Sequence, residues 1–473
     1  METLQRTANR GSVSTGYDID NSLKLEDDNT EGMAKNFSGD GNQKTWTYST
    51  WVKRTEITGS DAYHLFGGSY TNIQFMTNDL LRVELYDGAS TVYADLNRVF
   101  RDTSAWYHIV VTLDTTQSTA ADRVKIYING VQDTSFNNST YTTKAQDTNF
   151  QIGSATADYQ FGYYFVGGGN DRRFCGYVAE THYVNGTALD CTSFGEFDDN
   201  GIWIPKEYTG SHGTKGFYFK FDDSSNLGKD SSSGGVGDFT LTNITAADQS
   251  TDTPTNNFCI GNALVNFAPG GQTLVRGATK FSNPSGQNWQ TITGTFALTS
   301  GKWYWEFETD GTGAFVGIAD VEDSIVPQRT DGYYLGYGDN NSATTKSLGM
   351  YSANGVIYND SGSATGSSYG SGNRVGVALD MDNRKIYFAV DNTWVNSGNP
   401  ANGTNGATWN TSWSDTVFPA GSCANNNSIF FLYGGFSSLS NISNVDANGY
   451  GGFYYTPPSG FYTLCTKNLA EYG

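Results

Sequence analysis

The chain has 473 residues, 16% of them charged, and a formal net charge of −20 at pH 7. This acidity argues against binding to nucleic acid or to an anionic membrane surface, because both require a basic footprint. The 57 glycines and the 14% aromatic content are typical of short strands joined by tight turns, and not of helices. No apolar run approaches the roughly 20 residues that cross a bilayer, so no membrane insertion is expected.

The N-terminal segment, residues 1–32, shows no sustained strand or helix period. It is expected to be a short irregular arm, either flexible or ordered only by docking to a larger assembly. Its string RTANRGSVSTGYDIDNSLK resembles the N-terminal segments of structural proteins of marine bacteriophages. That resemblance implies attachment to the virus particle through Arg6, Asn9, Arg10 and Tyr17.

Residues 33–250 predict a first β-sandwich. Apolar side chains alternate along residues 46–52 and 124–128, as in strands with one buried face. The Asn-Gly pair at 129–130 predicts a two-residue hairpin turn, whose central residues need positive φ. The ordered motifs WYHIVVTLD, VKIYING, FQIG and GYVAE resemble a laminin-G-like or concanavalin-A-like jelly roll over residues 35–185.

The second half of the chain predicts another β-sandwich at residues 271–466, after a proline- and glycine-containing linker at 251–270 and before a C-terminal tail at 467–473. Its motifs are GKWYWEFE, VGIA and a hairpin, GVALD followed by KIYFAV, in which apolar residues alternate on both strands. These motifs resemble those of a SPRY domain. The resemblance implies a recognition module that binds other surfaces through its loops and performs no chemistry.

Together these patterns predict an all-β protein: two β-sandwich (jelly-roll) domains in tandem, with a short irregular N-terminal arm. The strongest enzymatic indication is the series Glu306, Glu308 and Asp310, because a spacing of two places all three carboxylates on one strand face. A retaining glycosidase needs two carboxyl groups about 5–5.5 Å apart, which such spacing can reach. However, Glu306 belongs to the motif of a non-enzymatic module, so the sequence favours a protein that is not an enzyme.

Aromatic residues in loops are the candidate ligand-binding groups. Tyr333 and Tyr334 lie in a glycine-rich stretch, and Trp409 and Trp413 lie in an asparagine-rich one. Ring faces in exposed loops can stack on the apolar face of a sugar. Core packing or oligomer contacts explain the same residues equally well.

No cofactor is expected from the sequence. Four scattered histidines have no metal-binding spacing. Calcium stays open, because laminin-G-like domains often bind it and the pairs Asp198/Asp199 and Asp222/Asp223 offer oxygens. Two adjacent carboxylates fall far short of the six to eight oxygen ligands that calcium takes, so solvated acidic turns are the favoured interpretation.

The resemblances imply a virion structural protein, most simply a tail fibre or appendage that contacts a host glycan or protein. A capsid decoration or head-fibre protein docked by its arm is the alternative, and a glycan-cleaving enzyme is a third possibility. The expected partners are other virion proteins and further copies of the chain, since such assemblies are usually symmetric. Five scattered cysteines and the absence of a visible secretory signal indicate synthesis in the host cytoplasm before incorporation into the virion.

Overall fold

A computed structural model of the chain describes residues 16–26, 30–36, 39–57, 62–68, 71–152, 158–164, 172–264, 273–284, 289–322, 333–336, 338–339, 346–359, 366–424, 426–436 and 442–473. The chain divides into a first unit, Met1–Thr255, and a second unit, Asn256–Gly473. Each unit has a hydrophobic core of its own. All five cysteines are buried as free thiols.

The first unit consists of strands and short 3-10 helices within its described residues. Its strands are β1 (Ser22–Leu25), β2 (Gly32–Lys35), β3 (Thr45–Arg54), β4 (Tyr63–Gly68), β5 (Thr71–Phe75), β6 (Leu80–Tyr86), β7 (Thr91–Val99), β8 (Tyr107–Asp114), β9 (Val124–Ile128), β10 (Val131–Asp133), β11 (Phe136–Asn138), β12 (Tyr159–Phe161), β13 (Tyr163–Tyr164), β14 (Arg172–Arg173), β15 (Gly176–Asn185), β16 (Gly195–Phe197), β17 (Trp203–Pro205), β18 (Phe217–Phe219), β19 (Thr240–Thr242) and β20 (Gln249–Ser250). The 3-10 helices are Ala120–Asp122, Thr140–Thr143, Cys191–Ser193 and Ala246–Asp248.

Two eight-stranded sheets build the first unit. One runs in the order β10-β9-β8-β3-β15-β1-β20, with β18 also paired to β15; the other runs β11-β7-β6-β5-β4-β12-β2-β19. Alternation in β9 shows how they pack: Val124, Ile126 and Ile128 are buried in the core, while the two residues between them are half-buried. Asn129 and Gly130 adopt positive φ (49° and 80°), which confirms the predicted hairpin turn.

Strand β1 corrects the expectation that residues 1–32 contain no regular strand. It pairs with β15 on one side and β20 on the other, so it is an interior strand of its sheet. Leu23 and Leu25 are buried in the core, whereas Lys24 forms ion pairs with Glu26 and Asp248 at 2.5 and 3.1 Å. The sequence period is too short to be recognised, because only two apolar residues alternate.

The second unit is also built from strands within its described residues. They are β21 (Thr273–Val275), β22 (Lys280–Asn283), β23 (Gln290–Thr293), β24 (Lys302–Thr309), β25 (Ala314–Asp320), β26 (Tyr333–Tyr334), β27 (Gly338–Asp339), β28 (Ser347–Tyr351), β29 (Ile357–Asn359), β30 (Arg374–Asp380), β31 (Lys385–Val390), β32 (Thr393–Trp394), β33 (Ala407–Thr408), β34 (Val417–Cys423), β35 (Asn427–Leu432) and β36 (Tyr462–Thr463). Two 3-10 helices, Val395–Ser397 and Pro400–Asn402, and the helix α1 (Thr466–Tyr472) complete it.

A nine-stranded and a five-stranded sheet enclose the core of the second unit. The larger runs β21-β22-β35-β24-β30-β31-β32, with β33 paired to β31 and β36 to β24; the smaller runs β23-β34-β25-β28-β29. The predicted hairpin is present as β30 and β31, which pair in antiparallel register from Val375–Val390 to Asp380–Lys385. The predicted all-β fold with two tandem sandwiches is confirmed.

Described residues of the predicted linker and tail pack within the two units. Asp252, 2% exposed, forms an ion pair with Lys53 at 2.7 Å in the first unit. Cys259, 1% exposed, belongs to the core of the second unit. The predicted tail is helix α1, which packs Leu469 and Tyr472 against that core. Residues 265–270 of the predicted linker lie outside the described residues.

Candidate functional site

An aromatic cluster lies on the outer face of the five-stranded sheet in the second unit. It consists of Trp289, Phe315, Tyr334, Tyr351 and Tyr358. Phe315 is central, with the rings of Tyr334 and Tyr351 stacked on it at centroid distances of 4.8 and 4.6 Å. Trp289 and Tyr358 meet the same ring edge-on at 5.1 and 5.6 Å. Phe315 is buried, whereas the four surrounding rings are half-buried and reach the surface.

Strand alternation explains why these rings face outward. In β25, Val316 and Ile318 point into the core, so Phe315 lies on the opposite face. In β28, Met350 points inward and Tyr351 outward in the same way. A large apolar ring on the outer face of a strand is the sequence signal that could have revealed the cluster, and it was missed.

Residues 333–336 lie directly on this outer face. The backbone N–H of Leu335 donates to Ser422 Oγ at 3.2 Å, and that of Gly336 donates to Ser347 Oγ at 3.0 Å. Glycine is needed in the strand beneath, because a Cβ at Gly349 would stand 2.7 Å from the Cβ of Leu335. These contacts position Tyr334 beside Trp289, at a centroid distance of 4.9 Å.

The structure treats the four predicted ligand-binding aromatics differently. Tyr334 joins the aromatic cluster, while Tyr333 is described only by its backbone in β26. Trp409 and Trp413 are each 4% exposed and pack together at 6.1 Å as part of the core. The expectation of exposed indoles is therefore corrected: burial removes their large apolar area from water. Whether any of the four binds a ligand stays a prediction.

Glu306 on β24, the first of the three predicted carboxylates, has a structural role. Glu306 is 0% exposed. Its carboxylate accepts hydrogen bonds from Tyr304 Oη at 2.8 Å and from the backbone N–H groups of Tyr454 and Tyr455 at 2.8 and 2.9 Å. Burial raises the pKa of Glu306 above its ordinary value. This carboxylate lies beneath another segment of the chain and not in an open cleft.

The other two carboxylates of the series are also engaged. Glu308 forms an ion pair with Arg374 at 2.6 Å, and Asp310 accepts from the backbone N–H of Ser428 at 2.6 Å. A retaining glycosidase needs two carboxyl groups that both reach one sugar ring. With Glu306 enclosed, these residues do not present such a pair.

Comparison with known families finds one matching stretch in each half of the chain. Residues 26–190 match the concanavalin A-like lectin/glucanase superfamily, and residues 302–436 match the SPRY domain. This chain contains a concanavalin A-like domain and a SPRY domain. Both domains are of a binding type. No curated protein matches the chain.

Solved structures similar to this chain include SPRY and carbohydrate-binding proteins. The SPRY domain of human HERC1 is 17% identical, with 35% of this chain and 96% of that one covered and a TM-score of 0.26. A protein of Bacteroides ovatus described as carbohydrate-binding is 18% identical, with coverages of 48% and 60% and a TM-score of 0.33. Stonustoxin is 22% identical, with coverages of 37% and 27% and a TM-score of 0.27.

In the first unit, the predicted docking residue Tyr17 makes an intramolecular contact. Its hydroxyl donates to Glu180 Oε1 at 2.9 Å and lies 3.1 Å from the hydroxyl of Tyr218. Glu180 has a positive φ of 48° at an irregularity in the pairing of β15 with β3, and Tyr218 also donates to its carboxylate. Tyr17 therefore fastens the chain to its own sheet just before β1. The other predicted docking residues, Arg6, Asn9 and Arg10, lie outside the described residues.

We expect Tyr17→Phe to destabilise the packing of the segment around β1 against its sheet. The buried carboxylate of Glu180 would lose the hydrogen bond that the Tyr17 hydroxyl donates. This loss should lower the free energy of unfolding by about 1–2 kcal/mol. Hydrogen exchange measured by mass spectrometry should become faster in the segment around β1. The matched control is Tyr93→Phe, which removes a hydroxyl elsewhere in the same domain. Equal exchange in the two variants would show that the Tyr17 hydroxyl does not hold the segment.

A serine–histidine contact in the same domain has the wrong protonation for catalysis. Ser49 Oγ lies 2.9 Å from His108 Nε2, and both residues are buried. The indole N–H of Trp203 donates to His108 Nδ1 at 2.9 Å. Neutral His108 therefore has its proton on Nε2 and donates it to Ser49, whereas a general base must accept the serine proton there.

The acidic pairs considered for calcium form turns. Asp198 Oδ1 accepts from the backbone N–H groups of Asn200 and Ile202 at 2.9 and 2.7 Å, and Asp223 Oδ1 accepts from that of Ser225 at 3.1 Å. Within the described part of the chain, no three histidine, cysteine or acidic side chains converge on one point. No helix there is long and apolar enough to span a membrane.

Proposed function

We propose that this chain is a non-enzymatic structural protein of a bacteriophage virion, in a tail fibre or similar appendage, that contacts the host surface. Two binding-type domains support the contact function. The resemblance of the N-terminal string to phage structural proteins supports the virion assignment. On this proposal the chain is made in the host cytoplasm and assembles with other virion proteins and with copies of itself.

The observation that carries the contact function is the aromatic cluster on the SPRY domain. Four half-buried rings surround Phe315, so a partner would meet a rigid aromatic surface whose geometry is already set by stacking. Such rings lose little conformational entropy on binding and offer large contact areas. A host glycan or an apolar protein surface fits this chemistry.

Antibody labelling of intact particles, viewed by electron microscopy, tests the proposal. Label at the tail is the expected result. Label over the head would instead favour a capsid decoration or head-fibre protein docked by its arm. An unlabelled particle from a phage whose genome encodes the chain would overturn the virion assignment. A variant lacking residues 1–15 keeps every described residue and should lose incorporation if the arm docks the chain.

Loss of two of the half-buried rings should weaken attachment to host cells. We expect the double variant Trp289→Ala, Tyr351→Ala to lose at least about tenfold in affinity, equivalent to about 1.4 kcal/mol. Binding of fluorescently labelled protein to host cells measures it. Phe197→Ala is the matched control, since Phe197 is an aromatic residue 52% exposed in the other domain. Equal adsorption of the double variant and the control would remove the cluster from the binding surface.

A further inference from the structure

A lysine on β1 meets an aspartate that directly precedes β20 in the first unit. Strand β1 pairs with β20 in antiparallel register, with Leu23 opposite Gln249. The next position in this register brings Lys24 opposite Asp248, and Lys24 Nζ lies 3.1 Å from Asp248 Oδ1. Both side chains are buried, at 10% and 6% exposed. The fold thus encloses an amine and a carboxyl group in direct contact.

Glu26 brings a second carboxylate to the same amine. Glu26 Oε1 lies 2.5 Å from Lys24 Nζ, and this glutamate is also buried. Burial lowers the pKa of Lys24, but the charges of Glu26 and Asp248 outweigh this effect and raise the pKa above its ordinary value. The resting amine is therefore an ammonium group, and a base must take its proton before it can act as a nucleophile. Glu26 is in position to be that base.

Hydrogen bonds fix the carboxyl group of Asp248 in this contact. Asp248 Oδ2 accepts from the backbone N–H and the hydroxyl of Thr245 at 2.8 and 3.1 Å. The 3-10 helix Ala246–Asp248 begins at this cap, so the carboxyl group is held by the turn that leads into β20. Its other oxygen, Oδ1, faces Lys24. A nucleophile and an acyl group held in contact react far faster than the same groups do in solution.

The surroundings of the pair favour a neutral product. On the other side of β1, Lys24 lies opposite Tyr177, which is buried and belongs to an aromatic cluster on this face of the sheet. Burial of separate charges carries a desolvation cost that can exceed their mutual attraction. An amide carries no charge, so condensation of the ammonium with the carboxylate removes that cost.

We propose that Lys24 Nζ and Asp248 Cγ are joined by an isopeptide bond that forms spontaneously in the folded chain. Glu26 takes a proton from the ammonium and passes it to the carboxylate of Asp248. The neutral amine then attacks Cγ, and a C–N bond forms. Glu26 transfers a second amine proton to the departing hydroxyl, whose C–O bond breaks, and one water molecule leaves. One ammonium and one carboxylate thus become one amide and one water, and Glu26 ends in its starting state.

The bond ties β1 to the segment that enters β20. Residues 24–248 form one closed loop, which restricts the unfolded chain and thereby stabilises the folded one. The segment before β1 cannot then be pulled from the sheet unless a covalent bond breaks. This inference goes beyond the proposed function and does not depend on it, although an appendage anchored by its N-terminal arm would carry load through this connection.

The mass of the intact full chain, purified after folding and measured under denaturing conditions, tests the proposal. We expect the wild type to be lighter than its sequence by one water molecule. Trypsin should not cleave after Lys24, and tandem mass spectrometry should find residues 11–35 linked to residues 230–276. The linked peptides are required because succinimide formation at an aspartate also releases water but leaves these two peptides separate.

Matched variants separate the covalent bond from the ion pair. Lys24→Arg keeps a cation beside both carboxylates but lacks a nucleophilic amine, so its mass should equal that of its sequence. Lys44→Arg is the control, because Lys44 forms an exposed ion pair with Asp147 in the same unit, and this variant should lose one water as the wild type does. Glu26→Gln cannot take the proton and should slow bond formation about a hundredfold or more.

Three results would overturn the isopeptide bond: a wild-type chain with the full mass of its sequence, a lost water that maps outside Lys24 and Asp248, or loss of water in Lys24→Arg. A wild-type rate in Glu26→Gln would overturn the proton transfer assigned to Glu26. The wild-type mass decides for or against the bond even if a variant fails to fold. An unlinked chain in labelled particles refutes only the bond, and a linked chain absent from particles refutes only the virion assignment.

Discussion

Acidification from about pH 7 to about pH 4.5 is expected to destabilise the concanavalin A-like domain far more than the SPRY domain. All four histidines of the chain lie in the first unit. Burial lowers the pKa of His64, His108 and His212 from the ordinary 6.5 to about 3. In the unfolded chain these three histidines bind protons as the pH falls through about 6.5. In the folded domain the same imidazoles stay neutral until about pH 3.

The sign of the effect follows from this difference. The stability that depends on these histidines is complete above pH 6.5 and is lost as the pH falls towards 3. Each residue contributes a slope of about 1.4 kcal/mol per pH unit in that window, and the three together contribute roughly 4 kcal/mol per unit at most. Two pH units of such a slope amount to about 8 kcal/mol at most, which is comparable with the whole free energy of unfolding of a typical domain, about 5–15 kcal/mol.

The contacts of the imidazoles explain why protonation is resisted. His108 stacks on Trp51 at 4.7 Å and accepts the indole N–H of Trp203, a bond that a proton on Nδ1 would abolish. Burial and the nearby charge of Arg172 lower the pKa of His64, and the Gln160 carbonyl, 3.2 Å from His64 Nε2, offsets only part of this effect. His212 and His182 face each other with ring nitrogens 3.0 Å apart, so two positive charges there would repel.

Hydrogen exchange measured by mass spectrometry at several pH values, corrected for intrinsic exchange rates, reports both domains in one chain. Peptides of the first unit should lose protection steeply below about pH 6, whereas peptides of the histidine-free second unit serve as the internal control. His64→Gln should reduce the pH slope by about one third, the share of one titrating group in three. Parallel loss of protection in both units would contradict the mechanism.

Glu306→Ala is expected to destabilise the SPRY domain by about 3 kcal/mol or more. The substitution leaves the Tyr304 hydroxyl and the N–H groups of Tyr454 and Tyr455 without their acceptor in a buried site. Urea denaturation followed by hydrogen exchange in the SPRY domain measures the loss. Glu308→Ala is the control, since its partly exposed pair with Arg374 contributes about 1 kcal/mol or less.

The same residue separates the binding and enzymatic interpretations. Wild-type stability of Glu306→Ala would contradict the structural role. A glycan-cleaving activity that Glu306→Gln abolishes without loss of stability would restore the enzymatic alternative. The pH effect of Glu306 is opposite in sign to that of the histidines. Its pKa is raised, so the stability linked to it is present below its ordinary pKa of 4.5 and is lost as pH rises through the folded-state pKa.

Local patterns in the sequence were sufficient for the sandwiches but not for every element within them. The hairpin β30–β31 and the turn at Asn129–Gly130 were predictable, because strand alternation and turn chemistry depend on neighbouring residues alone. Strand β1 was not, because its two alternating leucines become meaningful only when β15 and β20 lie on either side. Helix α1 was likewise assigned to a tail.

The candidate sites were less accessible to sequence reasoning. Tyr334 was named, but its neighbours Trp289, Tyr351 and Tyr358 come from separate strands and segments that only folding brings around Phe315. A glycine- or asparagine-rich context suggested exposure for Trp409 and Trp413, yet both indoles are core groups. Exposure depends on what covers a loop, and composition does not contain that information.

The sequence by itself therefore determined the all-β class, the two tandem sandwiches and the net negative charge, because composition, period and charge are properties of the chain. Only the tertiary structure decided which individual side chains are buried and which partners they contact. It enclosed Glu306 under Tyr454 and Tyr455 and gave Tyr17 a partner in Glu180. These outcomes depend on residues more than a hundred positions away, whose proximity is set by sheet packing and not by local pattern.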